Sequence, residues 1–260
     1  MNILLIILVV IALLILVFAL LMLRKKPVRI QPLPDSYRDI LVKDVVFYTM
    51  LDEKQKGEFE NRMMHFLSTT RITGVKTDID DNDKVYISAS AIIPIFGFPN
   101  WEYTNLNEVL LYPDSFNHQF EQTGGDRTIL GLVGDGAYNN VMILSRQELR
   151  QAFLNKTGKT NTAIHEFVHL IDKTDGSVDG IPDFFLNRQY VLPWLNLIHK
   201  EIKKILSNDS DINPYGATNE AEFFAVVAEY FFERPDLLQI KHPDLYELLI
   251  KIFHQKPVNS

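Results

Sequence analysis

The chain has no cysteine. Disulfides are therefore excluded from its stability, and thiolates are excluded both as metal ligands and as nucleophiles. Basic charge is also short: 26 Lys and Arg stand against 33 Asp and Glu in 260 residues. Four of those cations, Arg24, Lys25, Lys26 and Arg29, cluster near the N-terminus; without them the chain holds 22 cations against 33 anions, a net of −11. A nucleic-acid partner needs a basic footprint to neutralise phosphates, so no nucleic acid is expected as the main partner. No internal repeat occurs, and no low-complexity tract beyond the N-terminal segment.

Charged and polar side chains are absent from Ile3 to Leu23. A helix of that length spans about 30 Å of hydrocarbon. A cleaved signal peptide wants a basic start, a shorter apolar run and a small-residue cleavage site. Met1-Asn2 has no basic side chain, and Phe18-Ala19-Leu20-Leu21-Met22 offers no such site. The cations after the span place the short N-terminus outside and the rest of the chain in the cytoplasm, by the positive-inside rule. The expected organisation is a transmembrane anchor over 1–26, a stiff proline-bearing linker over 27–39 and one domain over 40–260.

Against these absences stands one motif, His165-Glu166-Phe167-Val168-His169. Two histidines four apart on a helix face the same way, so both imidazoles reach one metal ion. The glutamate between them can hold a water on that metal and take its proton. The pattern is short enough to arise by chance, so its surroundings decide its weight. Thr160, Asn161 and Thr162 offer N-cap side chains just before it. Ile164, Phe167, Val168 and Ile171 fall at i, i+3, i+4 and i+7 in one apolar stripe. Such a helix buries the stripe and presents both histidines to a cleft.

Asp52 to Leu67 reads as a helix with Phe59, Met63, Phe66 and Leu67 on one face. Val85 to Ile93 reads either as a strand or as buried helix, broken by Pro94 and Gly97. Val109–Tyr112, Thr128–Val133 and Val141–Ser145 are short strand candidates. The last is either an exposed edge that pairs with an extended substrate backbone or an interior strand. Gln147 to Asn155, Arg188 to Leu206, Asn219 to Glu233 and Leu245 to Phe253 read as helices. Strands in the first half and helices in the second make an α+β pattern, not the βαβ alternation of a parallel sheet.

A catalytic zinc takes three protein ligands and keeps one position for water. Two residues compete for third place. Asp175 lies six residues past His169, but it needs a backbone reversal at Asp172 that glycine would ease. Glu222 shares one side of its helix with Val226, Glu229 and Glu233, yet Asn219 and Glu222 also fit a capping box. Spacing alone leaves ligand and cap both open. Asn161 and Asp172 are candidates for hydrogen-bond partners of the histidines, and equally for cap or surface positions.

The run Asn213-Pro214-Tyr215-Gly216-Ala217-Thr218-Asn219-Glu220-Ala221-Glu222-Phe223-Phe224-Ala225-Val226, followed by Glu229-Tyr230-Phe231-Phe232, resembles the Mlc titration factor A family. The histidine motif with Leu170-Ile171-Asp172, then Asp175-Gly176 and Asp179-Gly180-Ile181-Pro182, is similar to the same family's metal helix and following loop. Leu111-Tyr112-Pro113-Asp114-Ser115-Phe116 is a third similar segment. The resemblance implies a zincin-like, glucose-regulated zinc metallopeptidase with a catalytic core similar to that of anthrax lethal factor. It implies Zn2+ held by His165, His169 and Glu222, with Glu166 as general base and acid and Tyr215 as the active-site tyrosine. It implies aminopeptidase-like action on peptide or protein substrates. The family's best-known form is soluble and binds a transcriptional repressor, so the anchor here is a departure. The alternative expectation is a membrane-tethered regulatory module that binds such a partner.

Overall fold

The computed structural model describes residues 10–13, 31–117, 127–134, 139–182 and 184–257. It divides into two units, Met1–Ile30 and Gln31–Ser260. In the first, residues 10–13 are helical, and the remainder of the expected span Ile3–Leu23 lies outside the described residues. Among the described residues no helix is long and apolar enough to cross a membrane.

The second unit mixes helix and sheet, as the α+β expectation has it. In chain order it runs α1 (Asp35–Asp44), α2 (Val46–Thr49), α3 (Glu53–Thr69), β1 (Arg71–Gly74), α4 (Asp81–Ile95), β2 (Glu108–Tyr112), β3 (Gly131–Val133) and β4 (Val141–Ser145). It continues through α5 (Arg146–Leu154), α6 (Thr162–Asp172), α7 (Arg188–Leu206), α8 (Glu220–Glu233), α9 (Pro235–Lys241) and α10 (Pro243–Phe253). Short 3-10 turns lie at Lys173–Asp175 and Pro214–Ala217.

The sheet corrects one expectation. Its order is β1-β2-β4-β3, with β1 parallel to β2, β2 parallel to β4, and β3 antiparallel to β4. Parallel neighbours need a crossover, and α4 supplies the one between β1 and β2. This is the stretch that read as either strand or buried helix. The ambiguity has a physical cause: every residue from Val85 to Ile95 is buried, so the helix shows no polar face and no 3.6-residue period. Its start is marked instead by a reciprocal cap between Asp80 and Asp83. Register places Val109 opposite Met142 and Leu132 opposite Ile143. Val141–Ser145 is therefore the interior strand β4, and the sheet's edge beside the motif helix is β3.

Helix α6 lies at the centre. Its apolar stripe of Ile164, Phe167, Val168 and Ile171 is buried to 1% exposure or less, which contributes about 1.5–3 kcal/mol for each side chain. Phe167 meets Phe66 of α3 edge-on at 5.8 Å and Tyr103 at 5.1 Å. Helix α8 is anchored from behind by Trp194 of α7, edge-on to Phe224 at 5.8 Å, and by Phe253 of α10, stacked on Phe224 at 5.7 Å. This packing holds the polar faces of α6 and α8 against each other.

Candidate metal centre

Each of those helices starts at an asparagine. Asn161 accepts the Ile164 N–H at 3.1 Å and opens α6; Asn219 accepts the Glu222 N–H at 2.9 Å and opens α8. Glu222 has a place in both arrangements considered for it. Its backbone is capped by Asn219, but its carboxylate leaves the cap and turns to the histidines. Glu222 Oε2 lies 3.0 Å from His165 Nε2 and 3.4 Å from His169 Nε2, and the two Nε2 atoms are 3.1 Å apart.

These distances fit a metal ion. Ligand atoms about 2.0 Å from a tetrahedral zinc stand about 3.3 Å from one another, and the three pairs bracket that edge. Two imidazoles and one carboxylate are also the donor set of a catalytic zinc. Among the described residues, His165, His169 and Glu222 are the group able to hold a metal. Asp175 is not brought to it. It sits in the exposed 3-10 turn, accepting from Ser177 N–H at 2.9 Å and Ser177 Oγ at 2.8 Å.

Glu229 is the residue that spacing did not single out. Its Oε1 lies 2.7 Å from His165 Nδ1, and its Oε2 accepts the Asn161 backbone N–H at 2.6 Å. A carboxylate facing Nδ1 holds the proton there and turns the Nε2 lone pair toward the metal position. The legible signal was its place two turns beyond Glu222 on the same side of α8. Asn161 also donates from Nδ2 to Glu233 at 2.8 Å. Its tie to His165 runs through Glu229, not by direct contact. Asp172 has a different duty from the one considered for it: it accepts the Gly180 N–H at 2.8 Å, while Trp194 Nε1 donates to Gly180 O at 2.7 Å. Gly180 has φ +76° and lies so close to α8 that a methyl there would fall 2.4 Å from Glu220 O. The loop after α6 is thereby pinned to the start of α8.

Electrostatics favour a cation at this point. Burial works against a charged His165, but hydrogen bonds to Glu222 and Glu229 outweigh it and raise the imidazole to about 10. Burial likewise pushes Glu222 up, and the hydrogen bonds from His165 and His169 overcome it, holding the carboxyl at about 2. A metal ion bound at Nε2 would take the place of that proton. Glu166 differs: burial pushes its carboxyl above the ordinary value, with His165 and His169 pulling the other way.

The cleft in front measures about 290 Å³ and is lined by β3, the motif side chains, Lys173, Val178, Tyr215 and the first turn of α8. Gly131 of β3 abuts the motif glutamate, since a methyl there would come within 2.6 Å of Glu166 Oε1 and 2.7 Å of its Cγ. Tyr215 stands in the Pro214–Ala217 turn, 54% exposed, with its ring 6.0 Å from that of His165. Partial burial and the charges of Glu222 and Glu166 raise its phenol.

The model of a family of glucose-regulated metallo-peptidases, M90, matches residues 20–254. The chain belongs to that family. Curated relatives agree with the resemblance to Mlc titration factor A. The Mlc titration factor A of Pectobacterium atrosepticum is 28% identical over 180 residues, 64% of this chain and 66% of its own. That of Escherichia coli is 25% identical over 229 residues, covering 81% and 83%. The uncharacterized protein slr2042 of Synechocystis sp. is 30% identical over 248 residues, covering 90% and 89%.

Proposed function

We propose that this metallopeptidase binds zinc through His165, His169 and Glu222 and hydrolyses peptide bonds with Glu166 as the proton carrier. The observation that carries the reading is the convergence of two Nε2 atoms and one carboxylate oxygen, 3.0 to 3.4 Å apart, beside a buried carboxyl. Zinc bound there supplies the Lewis acidity that makes a water nucleophilic near neutral pH. Glu166 accepts the proton of the attacking water, and its raised carboxyl pKa suits it to return that proton to the leaving amine. The Tyr215 phenol donates to the carbonyl oxygen as that atom gains charge. Strand β3 presents one edge to the cleft, and an extended peptide can add to that edge by main-chain hydrogen bonds. Gly131 allows the strand to approach Glu166 closely enough for the scissile bond to reach it.

The finer reading puts this activity at a membrane. Ile3 to Leu23 carries no polar side chain and is followed by Arg24, Lys25, Lys26 and Arg29, a pattern that anchors the chain with its catalytic unit in the cytoplasm. Aminopeptidase-like cleavage is tested by comparing free and N-acetylated peptides. Free N-termini are required if the reading holds, and equal cleavage of both overturns it. A second reading is binding of a partner protein, for which the relatives' name, Mlc titration factor A, is the supporting observation.

The deciding variant is Glu166→Gln. Zinc content is expected to stay as in the parent while peptide hydrolysis falls about a thousandfold. Undiminished hydrolysis would remove Glu166 from the mechanism. Loss of hydrolysis with the cellular effect intact would favour partner binding.

A further inference from the structure

The end of α8 away from Glu222 borders a second cavity, of about 370 Å³, that has no part in the chemistry above. Glu222 and Glu233 stand at opposite ends of that helix, roughly 16 Å apart along its axis. Three walls of the cavity are aromatic. Phe47 lies edge-on to Phe96 at 5.8 Å and to Phe232 at 6.4 Å. Two carboxylates line it, Glu58 and Glu233, and the one beside Phe232 at the end of α8 is Glu233. Its Oε1 accepts from Asn161 Nδ2 at 2.8 Å, and no described residue hydrogen-bonds its Oε2. Protein surrounds the carboxyl, yet part of the residue's surface stays open, onto the cavity it lines. Burial pushes this carboxyl up to about 7, against the pull of the Asn161 hydrogen bond.

The backbone contributes charge of the same sign. Helices α4, α8 and α10 all end at this cavity, and helix C-termini carry partial negative charge. Two of the three ends are compensated. Arg62 donates to Ile95 O and Phe96 O, and Gln255 to Ile93 O and Pro94 O, at the end of α4; Lys251 lies in the last turn of α10. The last turn of α8 holds no basic residue. Arg234, just beyond it, turns to Asp236 and Thr157 O. Glu58, His254 and Lys256 also line the cavity, but none of them makes a hydrogen bond or ion pair with Glu233.

A carboxylate set among aromatic faces recognises an organic ammonium through an ion pair and cation–π contact together. A neutral apolar ligand would instead leave Glu233 desolvated without a partner. We propose that this cavity is a second binding site, for a small organic ammonium compound with an apolar body, whose charge is met by Glu233. Occupancy is transmitted to the metal centre through Asn161, which joins Glu233 to Glu229, the carboxylate that orients His165. The binding step stands independently; the transmission rests on the zinc reading.

The test titrates the full-length chain, without metal, with phenethylamine and with the uncharged phenethyl alcohol by calorimetry. The amine is expected to bind about tenfold more tightly than the alcohol. Glu233→Gln keeps an acceptor for Asn161 and should abolish that preference. Phe47→Leu leaves Asn161 untouched and should weaken the amine severalfold. Equal binding of both probes, binding of neither, or a preference that survives Glu233→Gln overturns the site. Zinc affinity, measured by chelator competition, is then compared with and without saturating amine. A severalfold change that vanishes in Glu233→Gln supports transmission. An unchanged affinity overturns the transmission and leaves the site standing.

Discussion

Two buried histidines in this molecule lie between carboxylates, and they are put to different uses. His165 sits between Glu222 at 3.0 Å and Glu229 at 2.7 Å. His242 sits between Asp211 at 2.8 Å and Glu201 at 3.3 Å. Around His242 the anions are matched: Lys159 and Lys241 each reach Asp211 at 3.0 Å, Lys204 reaches Glu201 at 2.7 Å, and Tyr230 donates to Asp211 at 2.9 Å. Around His165 no described lysine or arginine pairs with Glu222 or Glu229. The next group is a second imidazole, and beyond it comes another carboxyl, Glu166. Buried carboxylates need counter-charge. Where lysines supply it, the cluster is a clamp, here tying the segment before Tyr215 to α8 and α9. Around His165, where no described lysine does so, two imidazoles and a carboxylate form the group proposed to hold the metal.

The comparison can be broken from either side. Removing a ligand has the largest effect: Glu222→Ala should cost about a thousandfold or more in zinc affinity, whereas Asp175→Ala should leave it unchanged. Loss in Asp175→Ala instead would reassign the third ligand. Glu229→Gln comes next, since it keeps the shape but weakens the hold on His165 Nδ1. Chelator competition should show zinc bound about ten- to a hundredfold more weakly, and parental affinity would make Glu229 a packing residue. Asp211→Asn is the smaller change and belongs to the clamp. It should lower stability by about 2 kcal/mol in denaturant titration while zinc stays bound. Zinc loss there would erase the distinction between the clusters.

The clamp also has a pH signature with a definite sign. Burial pushes Asp211 up, but hydrogen bonds from His242, Lys159, Lys241 and Tyr230 prevail and hold it well below the carboxylate range. A carboxyl depressed on folding adds stability above its unfolded pKa, near 4, and that stability fades as pH falls toward the folded value. The parent should therefore lose stability below about pH 4 more steeply than Asp211→Asn. Parallel acid limbs in the two proteins would contradict the assignment.

The site was more legible in the sequence than the sheet. Local signals carried the motif helix: an asparagine cap, an apolar stripe and two histidines on one face, all within a few residues. Glu222, Glu229 and Glu233 were visible as one acidic side of α8. Their separate surroundings were not, because the fold alone sets Glu222 and Glu229 against His165 and Glu233 against Asn161. The parallel pairing of β1 with β2 joins residues far apart in the chain, and its crossover α4 is buried all round, so neither left a period to read. Gly131 looked like one glycine in a short strand. Its importance comes from Glu166, which the fold places beside it.

Zinc stoichiometry tests the central contrast most directly, by titrating zinc into the metal-free full-length chain and into three histidine variants. The parent should bind about one zinc per chain. That zinc should be lost with His165→Ala and with His169→Ala and kept with His242→Ala. No tightly bound zinc in the parent, or zinc lost with His242→Ala and kept without His165, would contradict the account.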